Sequence, residues 1–195
     1  MNIPNFLTAL RVLLSFITAI LLCVGFKYFA LAAFILFVIA GATDWFDGYI
    51  ARKSNAVTVL GKFMDALCDK IMVIGMFMVL LGLNLYSEDW QKFAIFCTFF
   101  SSAREFFVSG IRMLAANTGV VLAAESLGKY KAAFQMYSIG AIICACSLRV
   151  DFGLASGFIY EIVFYSGIAT LFISTVLSLI SGFSYGIRYG YLLKS

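Results

Sequence analysis

The segment TDWFDGYIARKSNAVTVLGKFMDALCDK, residues 43–70, places four aspartates between two charge-free apolar blocks, 28–43 and 71–87. Each block is a little shorter than the roughly 20 residues that a helix needs to cross a bilayer. Both helices must therefore extend into the charged segment, and we predict them at 28–51 and 59–85. Ionisable groups at membrane depth are costly and usually face a polar cavity or a partner. The segment therefore predicts two membrane helices with a cluster of carboxylates where they reach the membrane surface.

Further apolar blocks on both sides of this segment extend the pattern to the whole chain. Of its 195 residues, 63% are hydrophobic and 12% are charged, which is about half the charge fraction of a soluble domain. We predict an all-α integral membrane protein with a single domain, 1–195. Its six transmembrane helices are expected at 5–26, 28–51, 59–85, 91–116, 128–149 and 158–188. Residues 3–14 alternate apolar and polar groups at helical spacing, which predicts an N-terminal interfacial segment.

The distribution of basic residues predicts the orientation in the membrane. An even number of helices puts both termini on one side with segments 52–62 and 112–131, and this side collects eleven of the 14 basic residues. Because basic residues stay in the cytoplasm, we expect both termini and a polar active-site cavity on the cytoplasmic side of the cell's inner (plasma) membrane. The lipid bilayer is the expected partner. No basic patch interleaved with aromatic residues stands clear of the membrane, which argues against nucleic acid.

The cysteines do not suggest a metal or redox site. The chain has five cysteines and no histidine, and no two cysteines form a CxxC pair. Free cysteine packs as a small hydrophobic residue, so we expect all five to be structural.

The four aspartates form two pairs, Asp44 with Asp47 and Asp65 with Asp69. Spacings of three and four residues put both members of a pair on one helical face. Carboxylates at short range repel one another unless cations compensate them, and ligands that are all oxygen favour a hard ion such as Mg²⁺ or Mn²⁺. Four carboxylates are enough for two divalent ions, the arrangement that clamps attacking and leaving oxygens in phosphoryl transfer.

Small residues accompany these acids at helical spacing: Gly48, Ala51 and Gly61 each lie four residues from one of them. They leave room for a bulky ligand on the carboxylate face. Arg52, one turn beyond Gly48, is suited to hold a phosphate with two hydrogen bonds, and Thr58 offers a hydroxyl group in the connecting loop.

Taken together, the pattern D44-x2-D47-G48-x2-A51-R52-x8-G61-x3-D65-x3-D69 resembles the signature of the CDP-alcohol phosphotransferase family. The resemblance implies a two-metal centre, with Mg²⁺ or Mn²⁺, and assigns Asp69 as the general base. It also implies that cytidine diphosphate binds near Gly48, Arg52 and Thr58. The N-terminal Asn5 and Thr8 resemble a family segment that reaches the nucleotide. The implied metal ligands are Asp44, Asp47, Asp65 and Asp69.

Three other stretches resemble family members whose acceptor is sn-glycerol 3-phosphate: IPNFLTALR at 3–11, REFFVSGIR at 104–112 and GKYK at 128–131. The implied reaction transfers a phosphatidyl group from CDP-diacylglycerol to glycerol 3-phosphate and releases CMP. Four basic residues, which we call the basic cluster, are expected to bind the acceptor phosphate: Arg104, Arg112, Lys129 and Lys131. The sequence departs from the family pattern at Ala66, Cys68 and Ala132, and Ala132 removes one hydroxyl contact to the acceptor.

Other functions fit the sequence less well. The same chemistry with serine, an inositol phosphate or phosphatidylglycerol as acceptor is one alternative. The basic cluster favours a phosphorylated acceptor, and a neutral amino acid would make less use of it. A membrane prenyltransferase normally has two widely separated aspartate motifs in a longer chain. A cation transporter normally shows repeats and a site near the membrane midplane. Glycine-rich helix faces lead us to expect a homodimer.

Overall fold

The structure, a computed structural model, describes residues 3–54, 59–83, 85–117, 126–155 and 157–190. Side chains are described for 9–43, 67–83, 85–116, 127–155 and 157–190. The described chain is helical throughout, with no strand. Its six helices are α1 (Ile3–Val24), α2 (Phe29–Ser54), α3 (Val59–Gly82), α4 (Glu88–Asn117), α5 (Ser126–Val150) and α6 (Phe158–Tyr189).

The prediction of an all-α chain is confirmed for these residues, and the helix bounds fall within a few residues of those predicted. The largest shifts are three residues. Helix α2 continues to Ser54 rather than 51, α3 ends at Gly82 rather than 85, and α4 begins at Glu88 rather than 91. Glu88 and Asp89 lie in the first turn of α4, where negative charge favours the positive end of the helix dipole.

Three helical stretches of the described chain are long and apolar enough to cross a membrane: Glu88–Ala116, Leu127–Val150 and Phe158–Tyr189. Ala9–Val24 and Phe29–Thr43 are shorter apolar helices. Large apolar side chains lie exposed on α4 and α6, for example Phe99, which is 67% exposed, and Phe183, which is 75% exposed. Such apolar exterior surface is characteristic of a protein surrounded by lipid.

The chain divides into two compact units. The first contains Met1–Leu85 and Ile139–Gly167, and the second contains Tyr86–Ser138 and Ile168–Ser195. In the first unit, α1 packs against both α2 and α3. Helix α2 buries a row of residues at spacings of three and four, which puts them on one face: Ala30, Ala33, Phe37 and Ala40.

The N-terminus of α2 is tied to the end of α5 within the first unit. Asp151 is 7% exposed. Its carboxylate accepts hydrogen bonds from the backbone N–H of Tyr28 at 2.7 Å and of Leu31 at 2.7 Å, and from the Ser147 hydroxyl at 3.1 Å. The first N–H groups of a helix have no partner within the helix, so Asp151 acts as a cap supplied from another helix.

In the second unit, α4 and α6 share an apolar cluster around a buried tyrosine. Val108, Ile111 and Tyr185 are each at most 3% exposed, and Tyr189 packs against them. This apolar cluster lies one to two turns along α4 from Arg104. It therefore holds α4 against α6 close to the basic cluster.

Candidate active site

The backbone of α2 and α3 carries the aspartate signature. Positions 44 and 47 lie in the continuous helix Phe29–Ser54, and positions 65 and 69 lie in Val59–Gly82. The helical spacing assumed from the sequence is therefore present in both segments, and each pair of positions shares a helical face. Among the four aspartates, only Asp69 has a described side chain.

The nucleotide-binding prediction lies mostly outside the described side chains. Positions 5 and 8 lie in α1, and positions 48 and 52 lie in α2, all as helical backbone. Thr58 lies outside the described residues. The predicted contacts of Asn5, Thr8, Gly48, Arg52 and Thr58 with cytidine diphosphate therefore stay predictions.

Asp69 is held by an arginine that lies far away in the sequence. Arg11 Nη1 of α1 donates a hydrogen bond to Asp69 Oδ1 at 2.8 Å. The Arg11 side chain is 1% exposed, whereas that of Asp69 is 54% exposed. The cation is thus enclosed by protein, and the carboxylate remains accessible from outside.

The donor chemistry fits divalent metal ions. No group of three or more histidine, cysteine, aspartate or glutamate side chains occurs within the part of the chain whose side chains are described, but three of the four aspartates lie outside that part. Asp69 is accessible, and the implied ligands are all carboxylates on helices of the first unit. Oxygen ligands of this kind suit Mg²⁺ or Mn²⁺.

The basic cluster lies in the second unit, and its members differ in their surroundings. Arg104 is 9% exposed and Lys131 is 5% exposed, whereas Arg112 and Lys129 are exposed. The Arg112 guanidinium lies over the Tyr185 ring at 5.5 Å and donates to its hydroxyl oxygen at 3.3 Å. The cluster therefore has a buried half and an exposed half.

Glu105 connects the two buried cations. Lys131 Nζ forms an ion pair with Glu105 Oε1, and Arg104 Nη1 lies 3.7 Å from the same oxygen. The shared carboxylate holds the two cations close to each other.

Hydrogen bonds between polar side chains also join α4 to α5 and α6 in the second unit. Arg104 Nη2 of α4 donates to Ser181 Oγ of α6 at 2.6 Å, and Gln135 Nε2 of α5 donates to Ser101 Oγ of α4 at 2.8 Å. Arg104 also lines a largely apolar groove of about 610 Å³ with Phe107 and Gly182. Ser101, Gln135 and Ser181 were not predicted as site residues, because contacts between helices that are distant in the sequence leave no spacing signal.

Apolar helices that carry this aspartate signature define a class of helical membrane proteins. The comparison with known families agrees with this assignment. The family model for CDP-alcohol phosphatidyltransferase matches residues 1–179, so the chain belongs to that family.

Similar proteins carry a more particular name. The chain is 38% identical over 154 residues to the CDP-diacylglycerol–glycerol-3-phosphate 3-phosphatidyltransferase of Bacillus subtilis (strain 168), covering 73% of this chain and 76% of the relative. It is 35% identical over 185 residues to the protein of the same name in Rickettsia typhi (strain ATCC VR-144 / Wilmington), covering 94% of each chain. The relative from Salmonella choleraesuis (strain SC-B67), again of the same name, is 31% identical and covers 94% of this chain and 92% of its own length.

Proposed function

We propose that the chain transfers a phosphatidyl group from CDP-diacylglycerol to sn-glycerol 3-phosphate and releases CMP. The relatives with this name align with most of the chain. The observation that carries the mechanism is the state of Asp69, whose carboxylate is fixed by Arg11 at 2.8 Å and is still 54% exposed. A base that is both oriented and accessible is what the attacking hydroxyl group requires.

In the proposed reaction, Asp69 takes the proton from a hydroxyl group of glycerol 3-phosphate. The hydroxyl oxygen forms a bond with the phosphorus that carries the diacylglycerol. The bond between this phosphorus and the bridging oxygen of the diphosphate breaks, and CMP leaves with the electron pair. Positioning and charge stabilisation supply most of the rate in phosphoryl transfer.

The proposed binding residues divide between the two substrates. Gly48 leaves space for the nucleotide, and Arg52 steadies its diphosphate, with Asn5, Thr8 and Thr58 as further contacts. The basic cluster binds the acceptor phosphate, with Arg104 and Lys131 as its buried half. Two divalent ions, Mg²⁺ or Mn²⁺, when held by Asp44, Asp47, Asp65 and Asp69, neutralise the diphosphate.

We also propose that all six helices cross the inner membrane, with both termini and the active site at the cytoplasmic surface. The diacylglycerol chains then stay in lipid while the diphosphate reaches the aspartates. The protein works as a homodimer in this proposal.

The acceptor is tested with purified protein in detergent, CDP-diacylglycerol and a panel of alcohols. We expect CMP release with glycerol 3-phosphate and none above background with serine, an inositol phosphate or phosphatidylglycerol. Preferential release with any of these other acceptors would overturn the acceptor assignment and keep the chemistry.

The base is tested with Asp69→Asn. Because general base catalysis contributes about 10²- to 10⁴-fold, we expect kcat to fall by about 10²-fold or more. The asparagine keeps an oxygen that can accept the Arg11 hydrogen bond, so the protein should still fold, but its thermal unfolding midpoint should fall because the buried Arg11 loses the charge of its partner. Asp89→Asn, at an exposed aspartate in the first turn of α4, is the matched control and should keep full activity. Near-normal turnover by Asp69→Asn would refute the mechanism.

A further inference from the structure

Arg11 is a charged residue that is buried in apolar surroundings, where a charge is energetically unfavourable. It lies in the apolar helix α1, and the residue is 0% exposed. Helix α1 packs against both α2 and α3, the helices that carry the aspartate signature. An arginine buried in this way is destabilising unless it is paired and hydrogen-bonded.

Its hydrogen bond to Asp69 supplies such a partner. Arg11 Nη1 lies 2.8 Å from Asp69 Oδ1, and the two residues are 58 positions apart in the sequence. An arginine that served only to orient the protein in the membrane would extend its flexible side chain towards water. Arg11 does the opposite, because the guanidinium is enclosed and the carboxylate is the accessible member of the pair.

The geometry suits a carboxylate that must keep one orientation. A carboxylate has two oxygens and about four acceptor positions, and the guanidinium hydrogen bond at Oδ1 restricts how the group can rotate. The planar guanidinium presents its donors in a fixed geometry.

We propose that Arg11 is a positioning residue, which acts on the reaction through Asp69 by holding its carboxylate in the orientation that accepts the proton. This inference rests on the proposed function, since it takes Asp69 to be the base. It assigns to Arg11 a role beyond the membrane orientation that its charge alone suggests.

Two substitutions separate charge from geometry. Arg11→Lys keeps the positive charge and loses the fork of donors, and Arg11→Gln loses the charge. Partners that orient a functional group typically contribute roughly 10- to 100-fold. We therefore expect kcat to fall about 10-fold in Arg11→Lys and about 100-fold in Arg11→Gln, with KM for CDP-diacylglycerol within about twofold of normal.

Mn²⁺ affinity, measured by isothermal titration calorimetry without substrate, separates this role from a purely structural one. Losing the Arg11 hydrogen bond loosens a proposed metal ligand, whereas losing the cation strengthens the attraction of that carboxylate for a metal ion, so the two effects on Mn²⁺ affinity oppose each other. In Arg11→Gln we therefore expect Mn²⁺ affinity to stay within about tenfold of that of the unchanged protein, while kcat falls about 100-fold. A structural role predicts the reverse: Mn²⁺ affinity and the thermal unfolding midpoint would fall together with kcat.

Arg149→Gln is the matched control. Arg149 is an exposed arginine of the first unit, and its Nη1 donates to the Leu85 carbonyl oxygen at 3.3 Å rather than to a carboxylate of the aspartate signature. We expect this variant to keep normal kcat, whatever its effect on stability.

The outcomes distinguish a failure of the proposed role of Arg11 from a failure of the proposed function. If Asp69→Asn is inactive and Arg11→Gln has normal kcat, the role of Arg11 is refuted and the proposed function stands. A joint loss of kcat, Mn²⁺ affinity and stability in Arg11→Gln also refutes it. If Asp69→Asn is active, the base assignment itself fails, and the role of Arg11 fails with it.

Discussion

The Arg104 side chain passes α6 at a position where only glycine leaves enough space. A Cβ atom built on Gly182 would lie 2.6 Å from Arg104 Cγ, which is far inside van der Waals contact. The Cγ atom belongs to the inner part of the side chain, so it cannot move aside without moving the guanidinium and its 2.6 Å hydrogen bond to Ser181. Gly182 therefore determines where the Arg104 charge lies.

Gly182→Ala should displace Arg104 and weaken acceptor binding. A hydrogen bond to a charged group contributes about 1.5–3 kcal/mol, so we expect KM for glycerol 3-phosphate to rise roughly tenfold or more, with a smaller change in kcat. Steady-state kinetics at saturating CDP-diacylglycerol measure this. The control is Gly186→Ala, one turn further along α6, where a Cβ would lie 3.7 Å from Phe107 in ordinary contact. Equal KM values for the two variants would show that Arg104 does not bind the acceptor.

The ion pairs between particular side chains were the feature of the site that the sequence predicted least well. The signature located the aspartates and the basic cluster, but it did not show that Asp69 pairs with Arg11 or that Glu105 pairs with Lys131. One signal was present: Arg11 is a single charge within an apolar helix, and such residues are functional candidates by default. From the sequence, this charge was used only to predict the orientation of the protein in the membrane.

At the scale of helices, the start of α2 depends on Asp151, which lies 123 positions after Tyr28 in the sequence. The carboxylate of Asp151 accepts hydrogen bonds from the N–H groups of Tyr28 and Leu31. Tyr28 itself has a positive φ of 66°, which a non-glycine residue adopts only when its surroundings compensate. Asp151 thus defines where α2 begins and holds α5 against it.

Asp151→Ala should leave these buried N–H groups and the Ser147 hydroxyl without their acceptor. Losing a helix cap costs about 0.5–2 kcal/mol, and unsatisfied buried donors add to this, so we expect a loss of about 2 kcal/mol. For a protein of this size that lowers the thermal unfolding midpoint by roughly 4–8 °C.

The control for this variant is Glu88→Gln. Glu88 pairs with Lys92 at 2.6 Å, but both side chains are largely exposed, and exposed pairs contribute little. We expect its midpoint to stay within about 1–2 °C of normal. Asp151→Asn keeps one acceptor oxygen and should fall between the two. A midpoint for Asp151→Ala equal to that of Glu88→Gln would refute the capping role.

Helix positions were predicted well because apolar blocks and charged interruptions mark them directly. The cap at Asp151 was not predicted from the sequence. Nothing in the spacing connects position 151 with position 28. A capping residue that lies in its own chain segment can be found from local sequence, whereas one supplied by another helix cannot.

For the whole molecule, contacts within the first unit agree with the alternation of helices inferred from charge. Arg11 contacts Asp69, and both were assigned to one side of the membrane. Asp151 contacts Tyr28, and Arg149 contacts the Leu85 carbonyl, all of which were assigned to the other side. Which side faces the cytoplasm follows from the excess of basic residues, and it stays a proposal.

Metal binding should change the stability of the whole protein. A ligand that binds only the folded state stabilises it by about 2.7 kcal/mol at a concentration one hundred times its Kd. We expect Mn²⁺ to raise the thermal unfolding midpoint and a chelator to abolish both this increase and CMP release, with activity restored by added Mg²⁺ or Mn²⁺.

Asp65→Asn tests whether the aspartates hold the metal. In the proposed centre the four carboxylates repel one another when no metal is bound, so removing one lowers this repulsion. In chelator this variant should therefore unfold at or above the temperature of the unchanged protein, and Mn²⁺ should raise its midpoint much less. Asp89→Asn, far from the signature in the sequence, should keep the full Mn²⁺ effect. If Asp65→Asn responds to Mn²⁺ as strongly as Asp89→Asn, the metal binds elsewhere, and the reading of the aspartates as a two-metal centre is wrong.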